Sequence, residues 1–172
     1  YGYSYFYFDI SQFIQEGANT LSVKLTNKEF ASRWYPGAGL YRKVSVIIKN
    51  NESIDQWGQF VTTPFISSEI AKVNIKTKAS GENTRLVTTI FDAEGHELSS
   101  EESIMQFGKE FDQNLKVENP KLWSPETPYL YKAVSQLYVG KELKDAISTR
   151  FGIREIKYEA NKGFSLNGKI TK

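Results

Sequence analysis

From residue 51 onward the sequence falls into short stretches of alternating apolar and polar residues, each closed by a turn signal after about eight to twelve residues, and few folds accommodate that rhythm. Between Ala71 and Ala79, Val73, Ile75 and Thr77 fall on one side of an extended chain. Lys72, Asn74, Lys76 and Lys78 fall on the other, so the strand has one buried face and one wet face. The same pattern predicts seven strands, over residues 58–66, 71–79, 84–92, 97–106, 109–117, 129–139 and 142–151. Asp92-Ala-Glu-Gly-His96 and Gly140-Lys141 supply hairpin loops between them. Helical periodicity nowhere persists beyond a turn or two, and the expectation is an all-β, antiparallel sandwich.

Composition agrees where it bears on the question. Aromatic residues make up 14% of the chain, with ten Tyr and eleven Phe, which favours pleated, half-buried surfaces. Hydrophobic residues at 40% and charged residues at 24% are ordinary globular usage, so the chain should fold. There is no cysteine, so packing alone must hold the sandwich, as in fibronectin-type relatives of the immunoglobulin fold, and no thiolate zinc site exists. At 172 residues the chain accommodates one complete domain with flanking pieces. A net charge of +2, dispersed along the sequence, is no nucleic-acid footprint. No apolar run reaches the length of a membrane helix, and YGYSYFYFDI lacks the layout of a signal peptide, so the signal of an exported parent would lie upstream of Tyr1. Cytoplasm and periplasm both stay open.

Ahead of the sandwich, strands are predicted over residues 1–10, 20–25 and 43–48, separated by a turn at Glu16-Gly-Ala-Asn19 and a loop at Pro36-Gly-Ala-Gly39. Three strands cannot close a sandwich, so they read as the C-terminal strands of a larger jelly-roll whose partner sheet lies elsewhere. After Gly152 the chain turns once more at Asn161-Lys-Gly163, and a hairpin and linker are expected against the sandwich.

Two stretches carry a family resemblance. Residues 32–42, SRWYPGAGLYR, resemble the motif that closes the sugar-binding domain of glycoside hydrolase family 2, especially in its β-galactosidases. Residues 149–169, TRFGIREIKYEANKGFSLNGK, resemble the segment that leads into that family's catalytic (β/α)8 barrel. Between them, Pro120-Lys-Leu-Trp-Ser-Pro125 with Pro128-Tyr-Leu-Tyr131 resembles the family's LWSPE-x-P-x-LY stretch, and Trp57 matches a position where the jelly-roll passes into the sandwich. Both Trp57 and Trp123 are expected to pack structurally, at the domain joints.

The resemblance implies that residues 1–50 belong to the sugar-binding jelly-roll, 51–154 to an immunoglobulin-like sandwich and 155–172 to the start of the barrel. It places both catalytic glutamates beyond Lys172. Within residues 32–42, a guanidinium offers several fixed donors to sugar hydroxyls and an aromatic ring can cover a sugar's apolar face. From composition alone, Trp34 and Tyr35 cap a core and Arg33 pairs with a carboxylate. The resemblance instead implies that Arg33 and Trp34 bind substrate, while Arg42 braces a domain interface.

No other constellation carries chemistry. Glycoside hydrolysis needs two carboxyl groups converging on one bond, whereas Glu101 and Glu102 are neighbours on a strand and point to opposite faces. Asp92, Glu94 and Glu97 ring a hairpin turn. The single histidine, His96, sits in the same turn, short of a metal's three or four ligands and with no Gly-x-Ser-x-Gly elbow to serve. Gly37-Ala-Gly39 lacks the third glycine and following helix of a phosphate loop. The expected function is therefore that of a non-catalytic accessory fragment of a retaining β-galactosidase. It would need no cofactor or metal of its own. Its partners would be the enzyme's carbohydrate substrate, the remaining jelly-roll strands and the barrel, with neither nucleic acid nor membrane involved. The alternatives are a free-standing carbohydrate-binding or adhesive module and a purely structural interaction module, against both of which stands a first domain that begins in mid-sandwich.

Overall fold

The computed structural model describes residues 5–26 and 39–170. They fall into two units, Tyr1–Val46 and Ile47–Lys172. In the second unit the alternation seen in the sequence becomes ten antiparallel strands: β1 (Ile54–Ile66), β2 (Ile70–Ala79), β3 (Thr84–Phe91), β4 (Glu97–Met105), β5 (Glu110–Glu118), β6 (Tyr131–Val139), β7 (Glu142–Phe151), β8 (Ile156–Glu159), β9 (Gly163–Leu166) and β10 (Lys169–Ile170). The first seven build an immunoglobulin-like sandwich of a three-stranded sheet, β1-β2-β5, and a four-stranded sheet, β4-β3-β6-β7. β2 and β5 pair without a break from Ile70↔Glu118 to Lys78↔Glu110.

The inner faces are those the alternation marks. Ala71, Val73, Ile75, Thr77 and Ala79 are all buried along β2, as are Phe111, Gln113, Leu115 and Val117 along β5. Thr84, Leu86, Thr88 and Ile90 of β3 oppose them, with Tyr131, Ala133, Ser135 and Leu137 of β6. The apolar core forms two clusters, one around Val73, Ile75, Ile90 and Ile153 and the other around Ile54, Leu86, Phe111 and Leu137. Each buried branched side chain removes enough surface from water to contribute about 1.5–3 kcal/mol. The buried polar residues Thr77, Thr88, Gln113 and Ser135 share those same inner faces.

β1 starts four residues before the predicted residue 58, because the chain absorbs a bulge rather than turning. Its ladder jumps from Ile54↔Ala79 to Gln59↔Thr77, with Trp57 at φ 55° and Gly58 packed on β2. A Cβ on Gly58 would lie 2.8 Å from Asp55 Cβ and 2.9 Å from the carbonyl of Lys78, so only glycine fits. A second irregularity near Pro64 interrupts the same edge strand, a form of protection against pairing with another chain.

The C-terminal hairpin β8–β9, extended by β10, lies against the sandwich. Leu122 bridges Ile153 in parallel, and the Trp123 N–H donates to the Ile153 carbonyl at 2.8 Å. Asn167 then ties the hairpin down: its side chain accepts from the Glu155 N–H at 2.9 Å and donates to the Trp123 carbonyl at 3.0 Å.

The chain ahead of the sandwich departs from expectation. Among its described residues, none of the strands anticipated over 1–10, 20–25 and 43–48 forms; a 3-10 turn, Ser11–Phe13, is the one regular element. A strand is held by a ladder to a neighbour, and here the alternating apolar side chains stay exposed: Phe6 70%, Phe8 76%, Leu21 61%, Ile48 92%. The turn at Glu16-Gly-Ala-Asn19 does form, with the Asn19 side chain accepting from the Gln15 N–H at 2.9 Å and donating back to the Gln15 carbonyl at 2.8 Å.

Candidate functional site

Of the residues expected to bind substrate, Arg33 and Trp34 lie outside the described residues, as does Tyr35. The described end of the same motif runs from Gly39 to Arg42. Leu40 and Tyr41 are exposed there. The Arg42 guanidinium sits 5.1 Å from the centre of the Tyr5 ring and 5.5 Å from that of Tyr41, a paired cation–π contact that uses the arginine structurally.

On the sandwich Glu101 and Glu102 stay apart, as the strand geometry requires. Glu101 turns toward β5 and accepts the Asn114 N–H at 2.8 Å. Glu102 points the other way and pairs with Arg85 at 2.8 Å. In the β3–β4 turn, Asp92 accepts from the His96 backbone at 2.8 Å and faces its ring Nδ1 at 2.9 Å, while Glu94 accepts the Tyr129 hydroxyl at 3.0 Å. Partial desolvation works against ionising Asp92, but the hydrogen bonds and charge of His96 outweigh it and hold the carboxyl below its usual range. The same hydrogen bond raises the His96 imidazole. Nearby, burial pushes the Tyr131 hydroxyl up while that oxygen accepts the Lys121 N–H at 2.8 Å. Among the described residues no three His, Asp or Glu side chains converge as metal ligands would.

The two described tryptophans differ. Trp57, expected to pack at a joint, is 61% exposed because the bulge holds it out of the ladder. Trp123 is partly buried at the joint between sandwich and hairpin, with the Arg154 guanidinium 4.8 Å above its ring and Gly152 against its Cβ. These residues, with Val61, Leu130, Arg150 and Ile156, line an open cleft of about 720 Å³. It offers guanidinium and apolar surface but no carboxyl group to serve as acid, base or nucleophile. Sequence inspection did not single it out; the signal is Arg150 and Arg154 spaced around Gly152, which becomes a cleft only when Trp123 folds onto that glycine.

Comparison with known proteins completes the picture. The family model of glycosyl hydrolases family 2 matches residues 53–154, more than half of the chain and nearly the whole sandwich. The chain is 36% identical over 183 residues to the β-galactosidase BoGH2A of Bacteroides ovatus, an alignment that covers all of this chain and 22% of that protein. A family 2 glycosyl hydrolase structure from Bacteroides cellulosilyticus superposes with a TM-score of 0.68 at 32% identity, over 72% of this chain and 17% of that one. A β-glucuronidase of Bacteroides uniformis superposes with a TM-score of 0.63 at 27% identity, again over 72% of this chain and 17% of that one. The chain spans 17–25% of the length of the curated relatives it matches first. With its sandwich matched by the family model and its whole length aligned to a family relative at 36% identity, the chain belongs to glycosyl hydrolase family 2.

Proposed function

We propose that this chain is the accessory, non-catalytic region of a retaining β-galactosidase. The observation that carries the reading is the motif SRWYPGAGLYR at residues 32–42, set within a 36% identity to a β-galactosidase that runs the length of the chain. In this reading residues 1–50 contribute to a jelly-roll sugar-binding domain, the sandwich spaces that domain from the catalytic barrel, and residues 155–172 lead into the barrel. Arg33 and Trp34 approach the terminal sugar, the first through hydrogen bonds to its hydroxyls and the second against its apolar face. The barrel supplies two glutamates about 5–5.5 Å apart, one as nucleophile and one as acid/base, in a double displacement. This region supplies no cofactor, and its partners are the carbohydrate substrate and the rest of its own protein.

The test compares a nitrophenyl β-galactoside with a nitrophenyl β-glucuronide as substrates of the full-length protein. Preference for the galactoside, with the 172-residue chain alone inactive on both, is the expected result. Preference for the glucuronide would discard galactosidase specificity while leaving the family intact. Useful affinity of the isolated chain for galactose or lactose by calorimetry would favour a free-standing binding module instead.

A further inference from the structure

The chain enters the sandwich through residues 49–54, and that short stretch is held from both sides. On one side is a bulge in β7: Leu137 pairs with Asp145 but Tyr138 pairs with Leu143, so Lys144 is an extra residue in the ladder. The Lys144 carbonyl accepts the Asn50 side-chain amide at 2.6 Å. Next to it, Asp145 Oδ2 accepts the Ile54 N–H at 2.9 Å and lies 3.4 Å from the Lys49 ammonium, while Oδ1 accepts its neighbour's N–H, that of Ala146, at 2.8 Å. The Lys49 ammonium also donates to the Ile54 carbonyl, closing a ring of contacts over residues 49–54.

On the other side stands Ser80, just past β2. Its hydroxyl donates to the Asn51 carbonyl at 2.6 Å and accepts the Ser53 N–H at 3.1 Å, and its own N–H donates to the Ser53 carbonyl at 2.8 Å. β7 and β2 belong to different sheets, so residues 49–54 strap the two sheets together. The Lys49 and Asp145 side chains are only 26% and 19% exposed, which spares their attraction much of the screening that weakens surface pairs.

We propose that Asp145 and Asn50 form a linker clamp. The bulge presents a carbonyl and a carboxylate in one place, and these convert residues 49–54 from a tether into a rigid strap, so the freedom of the chain leading into the sandwich ends ahead of Lys49. This device goes beyond the accessory-region reading and does not rest on it.

Limited trypsin digestion tests the clamp, because Lys43 lies ahead of the strap and Lys49 within it. In the wild-type chain, cleavage after Lys49 should be at least about tenfold slower than after Lys43. Asp145→Ala should raise cleavage at Lys49 by about tenfold or more, the effect of losing hydrogen bonds to a charged group, while cleavage at Lys43 is unchanged. Asn50→Ala, an exposed position outside the core, should raise it by a smaller factor, and it decides the matter if Asp145→Ala fails to fold. Cleavage at Lys49 as fast as at Lys43 in the wild type, or unmoved by Asn50→Ala in a folded chain, would overturn the clamp.

Discussion

The Thr88 hydroxyl on β3 donates to the Gln113 side-chain carbonyl on β5 at 2.6 Å, joining the two sheets through the interior of the sandwich. The bond belongs to a directed chain. The Gln59 amide donates to Ser135 Oγ at 2.6 Å, and Ser135 and Thr88 share a 2.7 Å contact. Since Thr88 gives its proton to Gln113, Ser135 must be the donor to Thr88. The Gln113 amide ends the chain on the Glu101 carbonyl at 3.0 Å and the Leu86 carbonyl at 3.2 Å. Such a layer costs desolvation, which these bonds offset, although the Gln59 side-chain oxygen at its head finds no partner among the described residues.

Breaking the chain at its most connected member should therefore be expensive. Gln113→Leu removes the acceptor of the Thr88 hydroxyl and both carbonyl contacts, and should destabilise the protein by about 3 kcal/mol. Adding Thr88→Val should cost less than the sum of the two single changes, since the orphaned hydroxyl goes with it. Urea unfolding measures both, and a loss for Gln113→Leu below about 0.5 kcal/mol, the range of surface substitutions, would show that the layer adds nothing.

Thr84 gives the opposite expectation. It is fully buried at the start of β3, and its hydroxyl finds no partner among the described residues. Thr84→Val keeps the shape and the β-branched preference of a strand while removing the polar atom, so it should stabilise the fold by about 1 kcal/mol. A loss of stability in the same unfolding experiment would show that the hydroxyl is satisfied in solution.

These residues also mark what the sequence could reveal. Strands β2 to β7 were legible to within two residues because alternation and turn chemistry are local properties. The bulge at Trp57 and Gly58 has no local signal until Ala79 is seen opposite Ile54, and β1 accordingly begins four residues ahead of its predicted start. The aromatic alternation around Phe6 and Phe8 reads as a strand, yet a strand needs a ladder, and that depends on residues elsewhere. The expectation that Arg33 and Trp34 bind sugar rests on resemblance alone, and both lie outside the described residues. The cleft beside Trp123 was not, because nothing local says that residue 123 folds onto residue 152.

That last contact can be tested directly. A Cβ on Gly152 would lie 2.7 Å from Trp123 Cβ and 2.8 Å from its Cγ. The tryptophan cannot easily yield, because its N–H is bonded to Ile153 and its carbonyl to Asn167. Gly152→Ala should cost about 2–3 kcal/mol, the scale of an overpacked core, and should speed amide exchange in β8 and β9. Gly39→Ala, where an added Cβ meets nothing within 4 Å, is the control and should leave stability unchanged.

The proposed sugar contact makes a claim on activity. In the full-length enzyme, Arg33→Ala should lower kcat/KM for the galactoside by about 100-fold, as expected for losing charge-assisted hydrogen bonds of about 1.5–3 kcal/mol. Arg42→Ala should act mainly on stability, since its guanidinium is engaged by Tyr5 and Tyr41. If Arg33→Ala leaves kcat/KM within about twofold, the substrate role of this loop is wrong.

The β3–β4 turn should respond to pH through its Asp92–His96 pair. The hydrogen bond from Asp92 and the charge of that carboxylate raise the His96 midpoint above the ordinary 6.5. Folding thus favours the protonated ring. The stabilisation is fully present below the unfolded midpoint and is lost as pH rises through the higher folded one. His96 is the single histidine of the chain, so its ring protons can be followed by NMR without ambiguity. Asp92→Asn keeps an oxygen for the His96 N–H but removes the charge, and it should move the midpoint down toward 6.5. Glu94 adds a smaller charge contribution of the same sign, so Glu94→Gln should shift the midpoint down by less. Equal midpoints in the wild type and Asp92→Asn would show that the pair seen at 2.9 Å does not hold the proton in solution.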